Sequence, residues 1–369
     1  MKTPYRKQYL VVCTLRIGDV LLTTPVIRAI READPAATID VMVLRGMEGV
    51  LEGNPDIDHI RIVPHRAGFL ARLKELSLLW RRYDVALTTV SSDRARWYCF
   101  VAGKRSAGLY NAHSAWLSTR LLGKRLLFDD LHTHTVSMGL KVLDLLGVAK
   151  QYRVIPPTAG GAIPGVLGKI PYVVLHPYPK FSYKMWPQTN WMALAHALGL
   201  EGFQVVLTGG PDVEERQYVD EIAQAGDAIN LCGTLSLAQT ADLLARATLF
   251  VGPDTGVTHI AASVGIPTLA LFGPSNPVKW GPWPSSHARD ESPWHMKGSQ
   301  RSGNVILIQG EGACVPCREE GCEKHRTSHS QCLDELSVGT VMREIKRIKA
   351  MQSGLSPALA PAREANPHP

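Results

Sequence analysis

Residues 250–259 of the 369-residue chain read FVGPDTGVTH, and this segment is the most informative part of the sequence. The apolar, β-rich run over residues 247–251 predicts a buried strand, and residues 255–264 predict a helix. Glycine and proline between them predict a tight turn. The first N–H groups of a helix have no partner inside it, so those of Thr255 and Gly256 are expected to point at an anion.

The same succession of strands and helices extends over most of the chain. A Pro- and Gly-rich linker at residues 156–171 separates two series, which predicts two Rossmann-like, doubly wound α/β domains. Such domains bind ligands at the carboxyl ends of their strands, so the site is expected in the cleft between them. Strands are predicted at residues 8–15, 38–44, 84–90, 172–176, 203–208, 247–251 and 267–272, and helices at 19–33, 189–200, 212–225, 236–245, 255–264 and 337–351.

These patterns divide the chain into four parts. Residues 1–165 are expected to form the N-terminal domain and residues 166–336 the C-terminal domain, which includes a Cys-rich segment at 314–332. Residues 337–352 are expected to form a terminal helix. The tail, residues 353–369, is rich in proline and alanine and is predicted to be disordered.

Composition restricts the class of protein. Hydrophobic residues make up 45% and charged residues 20% of the chain, which is typical of a folded globular protein. The longest uncharged apolar stretch, residues 260–278, is interrupted by Gly265, Pro267, Gly273 and Pro274 and does not fit a membrane span. The apolar run over residues 9–15 is short for a secretory signal, so a cytoplasmic location is expected.

Positive charge is concentrated in one part of the first domain. The chain has a net charge of +7, and residues 61–130 alone contain 13 Lys and Arg against 5 Asp and Glu. This excess is either a solvated basic surface or the site of an acidic partner, such as an anionic membrane or a phosphorylated or carboxylated substrate. No aromatic RNA-binding motif or Cys2His2 spacing accompanies it, so no nucleic-acid partner is expected.

A candidate catalytic carboxylate follows the first predicted strand, in the sequence LRIGDV at residues 15–20. Gly18 permits a tight turn, and Asp19 falls at the start of a helix. The carboxylate of Asp19 either caps that helix or faces the cleft and accepts a proton from a substrate hydroxyl. The turn does not match G-x-G-x-x-G, so a dinucleotide fingerprint is absent here.

Candidate donor-binding residues follow the strands of the second domain. Lys180 and Lys184 are either exposed loop lysines or the cations that neutralise a diphosphate. Gly209 and Gly210 allow close approach to the backbone, and the acidic residues 212–215 either favour a helix start or bind ribose hydroxyls. Asp254 is either a cap or a ligand contact, and His259 is either a satisfied core residue or faces the same ligand. Together these segments predict a nucleotide-diphosphate site.

Two sequence patterns are of types that occur in metal-binding sites. Asp56-Ile57-Asp58 forms a D-x-D triplet, but its Pro-led context predicts a turn in the first domain. Clustered cysteines with the spacing C-x2-C-x4-C-x9-C are either a structural zinc site or a loop of free or oxidised thiols. The cysteines of this cluster are Cys314, Cys317, Cys322 and Cys332. Cys13, Cys99 and Cys232 lie in apolar contexts and are predicted to be buried thiols.

Taken in order, these segments resemble glycosyltransferase family 9, the ADP-heptose:lipopolysaccharide heptosyltransferases, over most of the chain. The D-T-G-x-x-H segment is the most specific match. The matching segments are RIGD at 16–19 with TP at 24–25, NPDID at 54–58, KMWP at 184–187, GG at 209–210, LCG at 231–233, DTGVTH at 254–259 and LFGP at 271–274. The loop YPKFSY at 178–183 departs from the family's first-heptose enzymes and is more like members that add a later, branching heptose.

The resemblance implies a GT-B fold, with the acceptor on the first domain and the nucleotide sugar on the second. It implies inverting, metal-independent transfer of heptose from ADP-heptose to an anionic, lipid-linked core acceptor, without a cofactor. Asp19 would be the general base, and the acceptor site would lie in the basic region from Arg61 to Arg125. On the donor side, Lys184, Lys180 and the amides of Thr255 and Gly256 would stabilise the departing ADP. Gly209, Asp254 and Glu215 (or Glu214) would complete the nucleotide site, with His259 near the diphosphate or the sugar.

Other functions remain open at this point. One alternative is a non-catalytic nucleotide-sugar-binding protein of the same fold. Another is a transferase that uses a different nucleotide sugar. An intact Asp19 beside the residue 254–259 segment disfavours the first of these. A Rossmann oxidoreductase is disfavoured because G-x-G-x-x-G is absent after either leading strand. The basic region and the acceptor class suggest peripheral contact with the inner face of the inner membrane.

Overall fold

The computed structural model describes residues 5–66, 68, 75–161 and 170–352. The first half of the chain forms a parallel six-stranded sheet in the order β3-β2-β1-β4-β5-β6. Its centre is buried on both faces by helices, which explains the near-continuous apolar sequence QYLVVC of β1. The strands are β1 (Gln8–Cys13), β2 (Thr38–Leu44), β3 (His59–Val63), β4 (Tyr83–Thr88), β5 (Gly103–Tyr110) and β6 (Lys124–Leu127).

Helices connect these strands. Because parallel neighbours need a crossover, most connections contain a helical segment that packs on the sheet. The helices are Ile17–Leu21, Thr24–Ala33, Asp93–Ala102, Trp116–Arg120 and Thr135–Leu146, with a 3-10 turn at Glu48–Leu51.

The single helix predicted over residues 19–33 is wrong, because the structure divides it in two. Helix Ile17–Leu21 ends at Leu22, and a second helix begins at Thr24 with Pro25 in its first turn. Proline has no N–H to donate, and its ring would clash with the carbonyl one turn earlier, so it is tolerated only where a helix starts. The break lets the short first helix hold its own orientation at the end of β1.

The second half forms a seven-stranded sheet in the order β12-β13-β11-β10-β7-β8-β9. Its strands are parallel except for β12, which pairs antiparallel with β13. The strands are β7 (Tyr172–Leu175), β8 (Gln204–Leu207), β9 (Ile229–Asn230), β10 (Leu249–Pro253), β11 (Thr268–Phe272), β12 (Gln300–Ser302) and β13 (Val305–Gln309). The helices are Gln188–Leu200, Val213–Gly226, Leu237–Leu244, Gly256–Val264, Pro277–Trp280, Gln331–Asp334 and Val338–Gln352, with a 3-10 turn at Ser182–Lys184.

The two doubly wound domains predicted from the sequence are therefore confirmed. The predicted boundary between residues 165 and 166 and the tail at 353–369 lie outside the described residues. The predicted terminal helix is present, and its Val341 and Ile345 are buried with Trp191 and Leu194 of the second domain. Within the described ranges, none of the helices combines the length and the apolar character needed to cross a bilayer.

Polar contacts join the two domains along one side of the cleft. His134 donates from Nε2 to the carbonyl of Gly281 at 2.8 Å, and its ring lies 4.7 Å from that of Trp283. Trp283 Nε1 donates to the carbonyl of Tyr152 at 2.9 Å. Asn276 Nδ2 donates to the carbonyl of Leu131 at 2.8 Å. These bonds fix the carboxyl ends of the two sheets relative to each other.

Candidate active site

Asp19 lies in the first turn of the helix that follows β1. Its Oδ2 accepts a hydrogen bond from the N–H of Arg16 at 3.1 Å, so the capping role considered from the sequence is real. The other oxygen, Oδ1, is buried and has no hydrogen-bond partner among the described residues. A buried oxygen without a partner is costly, and such groups are typical of functional sites. Capping therefore involves only one of the two carboxylate oxygens, Oδ2.

The surroundings of Asp19 favour proton uptake. The residue is only 8% exposed, and burial raises its pKa above the usual range for aspartate. The N–H of Arg16 and the charges of Arg16 and Lys279 oppose this shift but do not reverse it. A carboxylate with a raised pKa is a stronger base than one in water.

Strand β10 brings the second half of the site to the cleft. Thr255 caps helix Gly256–Val264 by accepting from the N–H of Thr258, so Asp254 is not needed as the cap. Instead, Asp254 Oδ2 lies 2.5 Å from Lys184 Nζ in a buried ion pair. Burial is the largest single effect and would raise the pKa of Asp254. The charge of Lys184, the electrostatic effect of His259, and hydrogen bonds from Lys184 and Ser275 together outweigh it and hold this pKa below its usual value.

His259 lies one turn into the same helix. Burial lowers the pKa of its ring to about 4, so the imidazole is neutral at physiological pH. Its Nδ1 is buried and has no hydrogen-bond partner among the described residues. The alternative of a satisfied core histidine therefore does not hold, and one ring nitrogen remains available for a ligand.

The two halves of the site meet at close range. A Cβ added at Gly256 would lie 3.0 Å from Ile17 Cγ2, and one added at Gly18 would lie 3.5 Å from His259 Cδ2. The guanidinium of Arg16 lies 4.5 Å from the ring centre of Phe181, in the lysine loop of the second domain. The turn that bears Asp19 thus packs directly against the helix start that follows β10.

Glu215 and the glycine pair form a second pocket wall after β8. Glu215 Oε1 accepts from the N–H of Gly210 at 2.7 Å, and burial raises the pKa of Glu215. A Cβ at Gly209 would lie 2.5 Å from Cys232 Sγ and 2.8 Å from Glu215 Oε1, so only glycine fits there. Glu214 is exposed. Of the two acids considered from the sequence, Glu215 is the one that faces the turn.

Lys279 was missed by the sequence analysis. It lies at the end of helix Pro277–Trp280 in the second domain and forms an ion pair with Asp130 of the first domain. Its positive charge lowers the pKa of Asp19, against the larger effect of burial. The signal available was its place shortly after the LFGP segment, beyond the carboxyl end of β11. By contrast, Lys180 is exposed and has no hydrogen-bond or ion-pair partner in the described part of the chain. Its role in donor binding stays a prediction.

The D-x-D triplet forms a turn, as predicted. Asp56 Oδ2 lies 2.6 Å from Arg28 Nε, and Asp58 Oδ2 lies 2.6 Å from Arg31 Nη2. Asp58 Oδ2 also accepts from the N–H of Ile39. Both carboxylates are therefore committed to holding the first domain together.

The four clustered cysteines share one neighbourhood beside the lysine loop. Burial, and then the charges of Cys317, Cys322 and Cys314, raise the pKa of Cys332 to about 11. However, across the described ranges no group of three or more His, Cys, Asp or Glu side chains is placed to hold a metal ion. The zinc interpretation stays a prediction. Cys13, Cys99 and Cys232 are buried thiols, as predicted.

Three buried histidines make the fold sensitive to acid. Burial lowers the pKa of His134 to about 3 and those of His176 and His259 to about 4. The unfolded chain takes up a proton on each ring below about pH 6.5, whereas the folded protein does not. Stability is therefore expected to be full above pH 6.5 and to be lost as the pH falls toward 4.

Thermal unfolding between pH 7.5 and 5 checks this expectation. His134→Gln should flatten the dependence, because Gln keeps a donor toward Gly281 and cannot be protonated. His196→Gln changes an exposed histidine and is the matched control. An unchanged slope in His134→Gln would contradict the assignment.

The arrangement combines a base and an anion cradle. The turn that bears the buried carboxylate of Asp19 packs against a helix start that carries the neutral imidazole of His259 and follows the Lys184–Asp254 pair. Such an arrangement can remove a proton from a nucleophile and stabilise a departing anion in the same cleft.

Comparisons with known proteins identify the family and the fold. The family model for glycosyltransferase family 9 (heptosyltransferase) matches residues 128–297. Lipopolysaccharide heptosyltransferase 3 from Escherichia coli K12 is 30% identical over 292 residues, which cover 72% of this chain and 82% of that protein.

Solved structures share the fold. A glycosyltransferase family 9 protein from Veillonella parvula superposes with a TM-score of 0.72 at 20% identity, covering 93% of this chain and 97% of that one. The E. coli heptosyltransferase WaaC, solved with ADP, superposes with a TM-score of 0.70 at 19% identity, covering 92% and 99%. The architecture is therefore GT-B, and the chain belongs to glycosyltransferase family 9, the heptosyltransferases, and is a glycosyltransferase.

Proposed function

We propose that this enzyme transfers a heptose from ADP-heptose to a hydroxyl of a lipopolysaccharide inner-core acceptor, with inversion at the anomeric carbon. The observation that carries the proposal is the unpartnered Oδ1 of Asp19, on a turn that packs against the helix start bearing His259, which follows Asp254 of the Lys184–Asp254 pair in the sequence. The names of the curated relatives support the sugar and the acceptor class. The ADP in the E. coli WaaC structure supports the nucleotide.

Asp19 acts as the general base. Its Oδ1 takes the proton of the acceptor hydroxyl as that oxygen attacks the anomeric carbon. The bond between this carbon and the diphosphate oxygen breaks on the opposite face, and its electron pair leaves with ADP. Attack and departure on opposite faces invert the configuration, as expected for a single displacement with one base.

The second domain stabilises the departing ADP. Asp254 orients Lys184, whose remaining N–H donors are available to the diphosphate. The amides of Thr255 and Gly256, at the positive end of a helix, add to this charge stabilisation. His259, which is neutral, contributes a hydrogen bond rather than a charge. Glu215 and Gly209 are assigned to the nucleoside, with Lys180 at the outer edge of the diphosphate.

The acceptor is assigned to the first domain. Its basic region from Arg61 to Arg125 matches a phosphorylated and carboxylated core, and a lipid-linked acceptor implies work at the cytoplasmic face of the inner membrane. Metal-independent transfer is supported by the D-x-D carboxylates, which are both paired with arginines.

A donor panel scored by product mass tests the proposal. We expect a mass increase of one heptose on a truncated core acceptor with ADP-heptose, without added divalent metal. UDP- and GDP-sugars serve as the comparison. Transfer from one of those donors but not from ADP-heptose would assign another nucleotide sugar. ADP binding by calorimetry without turnover of any donor would favour a non-catalytic binding protein.

The cysteine cluster has its own test. If Cys314, Cys317, Cys322 and Cys332 hold zinc, protein purified without chelators contains about one equivalent of it; free thiols predict none, and the side-chain positions in the described ranges favour free thiols. Metal analysis of this protein and of Cys314→Ser measures it, with Cys99→Ser as the control for loss of a thiol outside the cluster. Less than roughly a tenth of an equivalent in the wild type would end the zinc interpretation.

A further inference from the structure

One surface of the first domain carries exposed tryptophans. It consists of residues 75–80 and helices Asp93–Ala102 and Trp116–Arg120, here called the outer helical layer. The three segments pack side by side. Tyr98 donates to Glu75 Oε1 at 3.2 Å, and Arg96 Nε donates to Ser118 Oγ at 3.0 Å.

Large apolar side chains of this layer are open to solvent. Trp80 is 60% exposed, Trp97 44% and Trp116 65%, and Leu117 beside Trp116 is 56% exposed. Elsewhere in the described chain the tryptophans are buried or partly buried; they are Trp186, Trp191, Trp280, Trp283 and Trp294. Exposed aromatic residues gathered on one layer mark an interaction surface rather than ordinary surface composition.

Cations accompany these rings. The Arg120 guanidinium lies 4.2 Å from the ring centre of Trp116, and the Arg81 guanidinium lies 5.6 Å from that of Trp80. Arg94, which lines a cavity of about 480 Å³ with Trp97, is instead held by hydrogen bonds from its Nη atoms to the carbonyls of Pro64 and His65. The layer therefore offers indole rings and guanidinium groups together.

We propose that the outer helical layer docks on an anionic lipid bilayer. Indole rings settle at the boundary between headgroups and acyl chains, and adjacent arginines are attracted to negatively charged headgroups. The exposed side chain of Leu117 can insert among acyl chains, whereas the phosphate backbone of a nucleic acid offers it no apolar contact. This argues against a nucleic-acid partner. Two kinds of contact, apolar and electrostatic, are what stable peripheral binding requires.

Part of the outer helical layer lies at the same edge of the sheet as the turn that bears Asp19. Helix Trp116–Arg120 follows the carboxyl end of β5, and the turn bearing Asp19 follows the carboxyl end of β1. Parallel strands of one sheet end at the same edge, so part of the docking surface lies on the side where the cleft opens. A lipid-linked acceptor would enter from that side. This last point rests on the proposed function, whereas lipid binding itself does not.

Vesicle co-sedimentation of the full chain tests the proposal, with phosphatidylcholine alone and with a phosphatidylcholine–phosphatidylglycerol mixture, and no sugar acceptor. We expect binding to the anionic mixture that weakens with salt. Each lost arginine should weaken it about fivefold. Trp116→Ala/Leu117→Ala should weaken it by about tenfold or more, because two apolar side chains no longer insert.

Matched controls come from the second domain. Leu200→Ala removes a side chain that is 78% exposed, and Arg343→Glu reverses an exposed charge, so both should bind vesicles as the wild type does. Equal binding to neutral and anionic vesicles would overturn the proposal, as would equal losses in the controls. Stronger binding to single-stranded RNA than to anionic vesicles would also overturn it.

Calorimetry with ADP separates this proposal from the proposed function. Wild-type protein that binds anionic vesicles but not ADP would remove the donor assignment and leave the docking surface standing. Protein that binds ADP but no vesicles would do the reverse.

Discussion

Asp19→Asn is expected to lower kcat by about 10²- to 10⁴-fold, the range that a positioned general base contributes. The amide has nearly the shape of the carboxylate, and its oxygen can still accept from the N–H of Arg16. It cannot take up the acceptor proton at Oδ1. Single-turnover transfer from ADP-heptose, followed by product mass, measures the loss.

Stability and donor binding separate this effect from misfolding. Because burial raises the pKa of Asp19, the folded state favours its protonated form, and the carboxylate costs stability once the pH rises above that pKa. The Asn variant is therefore expected to melt no lower than the wild type at pH 7 and to bind ADP equally well. Glu52→Gln changes an exposed carboxyl of the same domain and is the matched control. Near-normal transfer in a folded Asp19→Asn would remove the base assignment.

The second large effect is expected from Lys184→Ala. Loss of the ammonium leaves Asp254 buried without its counter-charge, which costs about 3 kcal/mol in the free energy of unfolding. It also removes charge-assisted hydrogen bonds from the diphosphate, so ADP affinity should fall about 10- to 100-fold. Urea unfolding and calorimetry measure the two losses independently.

Two further variants show which loss belongs to which cause. Lys184→Ala/Asp254→Asn removes the stranded charge, so it should regain much of the stability but little of the ADP affinity. Lys180→Ala removes an equal charge from an exposed position of the same loop, and its stability should match the wild type within about 0.5 kcal/mol. If Lys180→Ala lost as much stability as Lys184→Ala, the special place of the Lys184–Asp254 pair would be refuted.

Buried central strands were predictable, and polar edge strands were not. β10 and β11 are buried along their whole length because helices cover both faces of the sheet, so the apolar runs LFV and LALF within them are plain in the sequence. β6, with the sequence KRLL, lies at the sheet edge and keeps charged residues exposed, which hides the apolar signal. β13 is fully buried, but it follows the antiparallel β12 instead of a helix, so the alternation of strand and helix did not indicate it.

The candidate site was predictable where a short motif carries it. Asp254 and His259 come from one strand–turn–helix unit, and Lys184 comes from the loop after β7. Lys279 was not predictable, because it acts on a carboxylate some 260 positions earlier in the chain, across the interface between the domains. A contact of this kind depends on how two finished domains meet.

The hydrogen bond between Asp19 Oδ2 and the Arg16 N–H has a stereochemical consequence. With that oxygen tied to its own backbone, the side chain cannot rotate freely to exchange its two oxygens. If Asp19 is the base, as we propose, only Oδ1 can take up the proton, and the incoming alcohol has to lie on the side of the carboxylate where Oδ1 points. The hydrogen bond within residues 16–19 would then favour one hydroxyl of a polyhydroxylated sugar over its neighbours.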